Sequence, residues 1–314
     1  MFAISVIICT HNPREDYLRR TLEGLKAQTL PLDDWELLIV DNASKEPVAG
    51  RFDISWHPHA RFLSEPTTGK THALLRAIEE SKAELLLTVD DDNVLRPDFL
   101  QMTLKISADH PWLGAWGGSC LGEFEEEPSR EFQPWLYALT VETFKVSIWA
   151  KLPGGGRALP PGAGMAFRRK VALHYREQVL HDPVRQALDR SGKKLSAGGD
   201  SDLALCGFEL GLGTGRFPEL ELTHLIAPNR LTIEYFEALF EGVGYGGLVL
   251  VAIHDPERLA QTQSSAMKIF FLRFYLALAG KNRLDRRIRL AEERGRLQAQ
   301  RDLERLGLWP RPHK

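Results

Sequence analysis

Leu85-Leu86-Leu87-Thr88-Val89-Asp90-Asp91-Asp92-Asn93 is a continuous apolar run of strand length that ends in three carboxylates. Such a run reads as a buried parallel strand, since both faces of a parallel sheet are covered. Its acids then fall at the carboxyl edge, where open α/β folds place ligands. Three adjacent acids repel one another, and burying them is costly unless a cation or hydrogen bonds compensate. A hard divalent cation with oxygen ligands is the natural partner. A solvated acidic turn or a helix N-terminus is the plainer account of Asp-Asp-Asp, and the strand signal before it favours the cation.

Upstream, Ala3-Ile4-Ser5-Val6-Ile7-Ile8 enters a strand at once, and Thr10-His11-Asn12-Pro13 ends it with turn and capping residues. Tyr17, Leu18, Thr21, Leu22 and Leu25 recur at helical spacing. Trp35-Glu36-Leu37-Leu38-Ile39-Val40 is a second strand, stopped by Asp41-Asn42-Ala43-Ser44. Arg61-Phe62-Leu63 is a short third, leading through Glu65-Pro66-Thr67-Thr68-Gly69 to a helix that carries Ala73, Leu74, Ala77 and Ile78. Strands that end in polar residues and alternate with helices over short loops predict an α/β fold with a doubly wound, mostly parallel central sheet. Neither Gly-x-Gly-x-x-Gly nor a Gly-Lys-Ser/Thr loop is present, so a nucleotide bound here must be held by side-chain acids and a metal.

Downstream, residues 98–108 read as a helix, Trp112-Leu113-Gly114-Ala115-Trp116-Gly117-Gly118 as a strand, and 123–131 as an acidic, proline-broken loop. Pro153-Gly154-Gly155-Gly156 and Pro160-Pro161-Gly162 bracket another loop, before a strand over 163–167 that ends in Arg168-Arg169-Lys170. After a polar insertion at 180–195, Asp200 and Asp202 stand at a helix start, where an N-cap is the plain account of Asp200. His224 falls in a strand over 220–226, as a packed strand residue or a ligand, and Pro228-Asn229-Arg230-Leu231-Thr232 opens a helix over 233–240. Phe270, Phe271, Phe274, Tyr275 and Leu278 then form a dense apolar helix face. From Lys281 onward basic residues dominate a helix through Leu306 and a proline-rich tail at 309–312. Such a segment is a peripheral membrane anchor, an oligomer contact such as a homodimer interface, or a helix packed on the main domain.

A length of 314 residues, 43% hydrophobic and 26% charged, suits a soluble enzyme, and a net charge of −2 argues against nucleic acid as a partner. Cys9, Cys120 and Cys206 are widely spaced and read as reduced core thiols. No signal peptide is evident and no window reaches about 18 consecutive apolar residues, so a cytoplasmic location, with peripheral attachment to the inner face of the membrane as the variant, is the expectation.

Ser5-Val6-Ile7-Ile8-Cys9-Thr10-His11-Asn12, then Leu38-Ile39-Val40-Asp41-Asn42-Ala43-Ser44, then Thr88-Val89-Asp90-Asp91-Asp92-Asn93 with Pro97, resembles in order and spacing the family 2 glycosyltransferases of GT-A fold. The resemblance is strong over residues 1–105 and continues weakly to about 240. It implies a transferase domain at 1–240, with a nucleotide-binding half at 1–105 and an acceptor half at 106–240, and a helical, basic extension at 241–314. It also implies inverting transfer of a sugar from a nucleotide-diphosphate donor, a UDP-sugar first of all, with Mg²⁺ or Mn²⁺. The acceptor would be a hydroxyl of a saccharide or lipid-linked saccharide, in polysaccharide or glycoconjugate biosynthesis. Thr10 and Asn12 would lie beside the nucleotide, Asp41 would hydrogen-bond the base, and Asp90 and Asp92 match the DxD pair, Asp90 facing ribose or sugar with Asp91 beside it and Asp92 binding metal.

Gly199-Asp200 stands where that family often carries Glu-Asp, whose Asp is the catalytic base; here Gly replaces the Glu. Leu74-Leu75 replaces an Arg-Asn of many relatives, and Lys70 either supplies part of the missing positive charge or is a surface lysine. His224 resembles a histidine that some GT-A enzymes bring to the metal or diphosphate, and Arg230 suits phosphate oxygens.

The chemistry matches the residues. Direct displacement needs a carboxylate to take the acceptor's proton, which Asp200 offers, and a cation to stabilise the departing diphosphate, which Asp92 can hold. The competing readings are a sugar nucleotidyltransferase, which normally opens with a Gly-rich basic loop after the first strand, and a non-catalytic sugar-binding module. Donor sugar and acceptor are set by the loops at 120–165 and 180–195.

Overall fold

The computed structural model describes residues 2–152, 156–186, 188, 197–262, 264–279 and 282–309. The expectations for Pro153, Gly154 and Gly155, for 189–195, for Lys281 and for the tail from 310 lie outside the described residues. In chain order the strands are β1 Ile4–Thr10, β2 Trp35–Asn42, β3 Ala60–Glu65, β4 Leu85–Thr88, β5 Asn93–Leu95, β6 Leu113–Phe124, β7 Ile148–Ala150, β8 Met165–Arg168 and β9 Gly213–Ile226. The helices are α1 Glu15–Lys26, α2 Lys70–Glu80, α3 Phe99–Asp109, α4 Arg169–Leu180, α5 Pro183–Gln186, α6 Gly199–Glu209, α7 Ile233–His254, α8 Ala266–Leu278 and α9 Arg283–Arg305.

The strands form one sheet in the order β3-β2-β1-β4-β8-β6-β9-β5, with β7 also paired to β9. β3, β2, β1 and β4 run parallel. β8 turns antiparallel to β4 and β6, and β5 and β7 are antiparallel to β9. The α/β class and the helical C-terminal segment are those read from the sequence. The antiparallel pairs are an addition made by short strands that carry little pattern of their own.

Both faces of the parallel half are apolar, which is why its strands read as unbroken hydrophobic runs. Ile4, Val6, Ile8, Leu37, Ile39, Leu85 and Leu87 join one buried cluster. The intervening Ile7, Leu38, Val40 and Leu86 join another with Ala73, Leu74, Ala77 and Ile78 of α2. Each such side chain contributes about 1.5–3 kcal/mol on burial. Near the amino ends of the strands the buried Glu36 accepts from Ser5 Oγ at 2.7 Å and Lys82 N at 2.6 Å, with Arg61 at 3.4 Å, so an acid in an apolar strand is fully engaged.

By contacts the chain falls into two compact units: Met1–Glu123, Thr140–Asp182 and Asp200–Ile226 in the first, and Phe124–Leu139, Pro183–Gly199 and Ala227–Lys314 in the second. The sheet belongs to the first. In the second, α7 runs from Ile233 to His254, well past the end at 240 that its sequence suggests. It is long and apolar enough over an 18-residue window to cross a membrane, although the sequence holds no such uninterrupted run. Its buried Leu248 and Val249 pack with Ala299 and Leu303 of α9.

Helices α7 and α9 run parallel, since partners on both rise together: Arg287 pairs with Glu234 and Glu237, and Arg294 with Glu237 and Glu241. They meet at glycines. A Cβ on Gly244 would lie 2.1 Å from Glu292 O, and one on Gly295 1.9 Å from Glu241 O. Gly295→Val should therefore lower stability by at least about 2 kcal/mol, because backbone cannot yield as a side chain does. Gly247→Ala, whose added Cβ meets nothing within 4 Å, should raise stability by about 0.5–1 kcal/mol through helix propensity. Thermal melts followed by circular dichroism of the two variants check both signs.

Candidate active site

β1 pairs with β2 on one side and with β4 on the other, so the carboxyl ends of β1 and β4 flank the point where the strand order reverses. Ligands of open α/β sheets bind at that crevice. Thr10 closes β1 there, and the three acids follow β4.

The three carboxylates go to three partners. Asp90 Oδ1 accepts from Lys70 Nζ at 3.0 Å. Asp91 Oδ2 accepts from Thr10 Oγ1 at 2.5 Å. Asp92 is buried, its Oδ1 accepts from Asn93 Nδ2 at 3.1 Å, and its Oδ2 lies 3.4 Å from His224 Nε2. Asn93, fully buried, also closes the turn by accepting from Asp90 N at 3.3 Å and donating its own N–H to Asp90 O at 3.0 Å.

The loop after β2 is held by its own side chains. Asp41 accepts Ser44 N at 3.1 Å on one oxygen and Val48 N at 2.9 Å on the other. Beside it lies a cavity of about 210 Å³, lined by Asp41, Ala43, Ser44, Pro47, Phe62 and Ser64 among others. Asn12 ties β1 to this loop: its N–H donates to Ser44 Oγ at 2.8 Å and its Oδ1 accepts Lys45 N at 2.9 Å. The buried Asn42 reaches the other way, accepting Gly69 N at 2.7 Å and donating to Thr67 O at 2.7 Å. Gly69 sits at φ +141°, a conformation that side-chain-bearing residues rarely adopt, and it launches α2 with Lys70 as first residue.

Lys70 is no surface lysine. Half-buried, its Nζ sits 3.0 Å from Asp90 and 3.7 Å from Asp200 Oδ1, one ammonium between two carboxylates. Asp200 is not an N-cap but lies within the first turn of α6, with its side chain 35% exposed. Its carboxylate rests on the backbone of Gly162, where an added Cβ would lie 2.1 Å from Oδ2. Gly162 O in turn accepts Thr88 Oγ1 at 2.8 Å, so the strand that delivers the acids also fixes the floor beneath Asp200. Asp202, two residues on, is wholly buried.

His224 reaches Asp92 because β9 lays it opposite Asn93 in an antiparallel register. Its Nδ1 lies 3.3 Å from Thr140 Oγ1. Burial alone pushes its pKa down, but hydrogen bonds to Asp92 and Cys120 outweigh that and hold it at about 10. Among the described residues no group of three or more His, Cys, Asp or Glu gathers as a metal-binding set.

Thr10, Asn12, Asp41, Lys70, Asp90, Asp91, Asp92, Asp200 and His224 all fall in the first unit, whereas Arg230, on the turn Pro228–Arg230, belongs to the second. The sequence did not single out Asn42, Gly162 or Thr140 for these roles. Only the Asn directly after Asp41 carried a signal, as a buried polar residue at a strand end.

A family model described as glycosyl transferase family 2 matches residues 5–173. The chain is similar to the uncharacterized protein y4gI of Sinorhizobium fredii, 29% identical over 112 residues that make up 34% of this chain and 12% of that one. It is similar to the hyaluronan synthase of Streptococcus pyogenes, 32% identical over 127 residues, 37% of this chain and 29% of the synthase. It thus spans less than a third of either relative. Among solved structures, TarS 1–349 of S. aureus aligns with 99% of this chain and 93% of its own at 12% identity and a TM-score of 0.49, and its complex with UDP-GlcNAc gives 13% and 0.49.

A histidine lifted from about 6.5 unfolded to about 10 folded stabilises the native state fully below pH 6.5, and that contribution is lost as pH rises through about 10. Denaturant melts at a series of pH values should show the natural chain losing stability over that window more steeply than His224→Gln, which keeps a polar side chain but does not titrate. Parallel curves would show that His224 is neutral at neutral pH.

Proposed function

The chain belongs to glycosyl transferase family 2, and from that premise we propose that it transfers a sugar from a nucleotide-diphosphate donor, a UDP-sugar first of all, to a hydroxyl of a saccharide or lipid-linked saccharide, with inversion. The observation that carries this proposal is the Asp90–Lys70–Asp200 bridge, with 3.0 and 3.7 Å on its two arms. One ammonium ties the first acid of the sheet edge to a carboxylate from a distant helix, which is the juxtaposition of donor-holding and proton-accepting groups that direct displacement requires.

The base of the nucleotide would occupy the cavity beside Asp41. Each Asp41 oxygen already accepts one backbone N–H and keeps lone-pair capacity for an N–H of the base. Thr10 and Asn12 would border the nucleotide, Asp90 and Asp91 the ribose or sugar, and Lys70 would bring positive charge to the diphosphate. Asp200, exposed enough to meet an acceptor, would take the hydroxyl proton as the acceptor oxygen bonds to the anomeric carbon and the bond to diphosphate breaks. The proton ends on Asp200 and the electron pair on the leaving diphosphate. Gly162 would fix where that carboxylate waits.

Asp92 fits a Mg²⁺ or Mn²⁺ ion that also takes ligands from the donor's phosphates, since such hard cations are held by one or two carboxylates with phosphate and water, and His224 would stand beside it as a nitrogen ligand. When bound, the cation supplies positive charge toward the departing diphosphate. To ligate it, His224 must give up the proton it shares with Asp92. Residues 1–105 would serve the nucleotide, 106–240 the acceptor, and 241–314 would be an extension, in a protein working in the cytoplasm in polysaccharide or glycoconjugate synthesis.

Asp200→Asn should leave the donor dissociation constant unchanged while acceptor-dependent turnover falls about 10²–10⁴-fold. Asp92→Ala should abolish the metal dependence of donor binding, read as the thermal shift that nucleotide sugar gives with and without Mn²⁺. Asp202 is unsuitable as a neighbouring control because its substitution would disturb a buried acid. A small turnover loss in Asp200→Asn would overturn the base assignment. Donor binding and turnover that stay metal-dependent in Asp92→Ala would overturn the metal assignment. Donor binding without transfer or hydrolysis in the natural chain would leave a sugar-binding module.

A further inference from the structure

Helix α8 carries apolar side chains on two sides. Leu276 is 2% exposed and, with the half-buried Ile269 and Leu272, forms the ridge by which α8 packs within its own unit, next to α9. Met267, Phe270, Phe271, Phe274, Tyr275 and Leu278 are each 61–78% exposed. At about 100° per residue these six fall within an arc of about 140° centred opposite Leu276. Together they bare on the order of 700 Å² of apolar surface, more than the largest patch of about 300–600 Å² on an ordinary monomer.

The charges around this arc narrow the choice of occupant. From Ala266 to Leu278 the helix carries no acid; of its two cations Lys268, beside one edge of the arc, is held by Glu293 at 3.0 Å, and Arg273 lies toward the other edge. The following helix opens with Arg283, Arg286 and Arg289, besides Arg287, which Glu234 and Glu237 hold, against the one acid Asp285, itself engaged by Trp135 Nε1 at 2.9 Å. A second copy brought face to face would set one basic rim against another. An anionic surface would be attracted by both. At about 1.5 Å per residue, 13 residues reach about 20 Å, too short to span a hydrocarbon core of about 30 Å but suited to lying in its interface.

We propose that α8 is an interfacial helix that seats the aromatic arc Phe270, Phe271, Phe274 and Tyr275 among the acyl chains of an anionic bilayer, with Arg273 at the headgroups. The sequence leaves this segment open between membrane, oligomer and internal packing. The structure divides it, with one ridge packed and the aromatic arc bare. The inference does not rest on the catalytic reading, because attachment is measured with neither donor nor acceptor present.

The full chain should float with vesicles of phosphatidylcholine containing one third phosphatidylglycerol, bind vesicles of phosphatidylcholine alone at least about tenfold more weakly, and detach as salt is raised. Phe270→Ser with Phe274→Ser should weaken partitioning roughly 30-fold or more. Arg273→Glu, which leaves the aromatic arc intact, should weaken it roughly tenfold or more on anionic vesicles and change little on neutral ones, so the proposal stays testable should the double variant fail to fold. Sedimentation of the lipid-free chain completes the test. Absence from anionic vesicles at low salt, or a lipid-free dimer that the double Ser variant converts to monomer while vesicles are ignored, would overturn the proposal. Equal binding to neutral and anionic vesicles would overturn the part given to Arg273.

Discussion

Three adjacent carboxylates at the end of a buried strand would drive that strand end apart if they faced one another. At a separation of about 4 Å two like charges repel by several kcal/mol in a partly buried setting. The chain relieves this by dispersal. One acid goes to an ammonium, one to a hydroxyl and one to an imidazole, and the Asn that follows closes the turn that splays them. Each partner comes from a different part of the chain: Thr10 from the first strand, Lys70 from the start of α2, His224 from β9. The sheet order, the antiparallel return of β9 against β5 and the launch of α2 all converge on placing these three groups, so the fold of the first unit and its acidic edge depend on the same contacts.

That dependence sets what could be read from the sequence. Strands β1, β2 and β4 were legible because both their faces are buried, and a doubly covered strand announces itself as an unbroken apolar run. The acids were legible because they punctuate such a run, and family 2 membership followed from three punctuated strands in order. Three-residue β5 was not legible, since Asn93-Val94-Leu95 has no period to display, and without β5 there was no register to carry His224 to Asp92. Lys70 stood open between a site residue and a surface residue for a related reason. Its position is decided by Asn42 holding Gly69, a contact between backbone and side chain that leaves no mark on local composition.

Asp200 shows how far a local rule carries. Two acids before an apolar run correctly marked a helix start, and dipole and capping arguments then favoured a structural role. The helix begins two residues earlier than a cap at Asp200 would require, which turns Asp200 into a first-turn side chain beside Lys70 instead of one turned to its own backbone. A shift of two residues at a helix end, within the ordinary uncertainty of reading boundaries, separates the two roles. In the second unit the same limit runs the other way. Gly244 and Gly295 look like interruptions in helical sequences, yet they are where two helices touch backbone to backbone.

The floor beneath Asp200 is made by a residue with no side chain, and this bears on how the chain can change over evolution. A survey of tolerated substitutions would register position 162 as sensitive without any functional group there to account for it, since even a methyl would occupy the space the carboxylate fills. Variation of the surrounding loop is thereby channelled. Gly162 is held both by the carboxylate above it and by Thr88 below. Divergence around Asp200 would proceed up to that glycine and stop there.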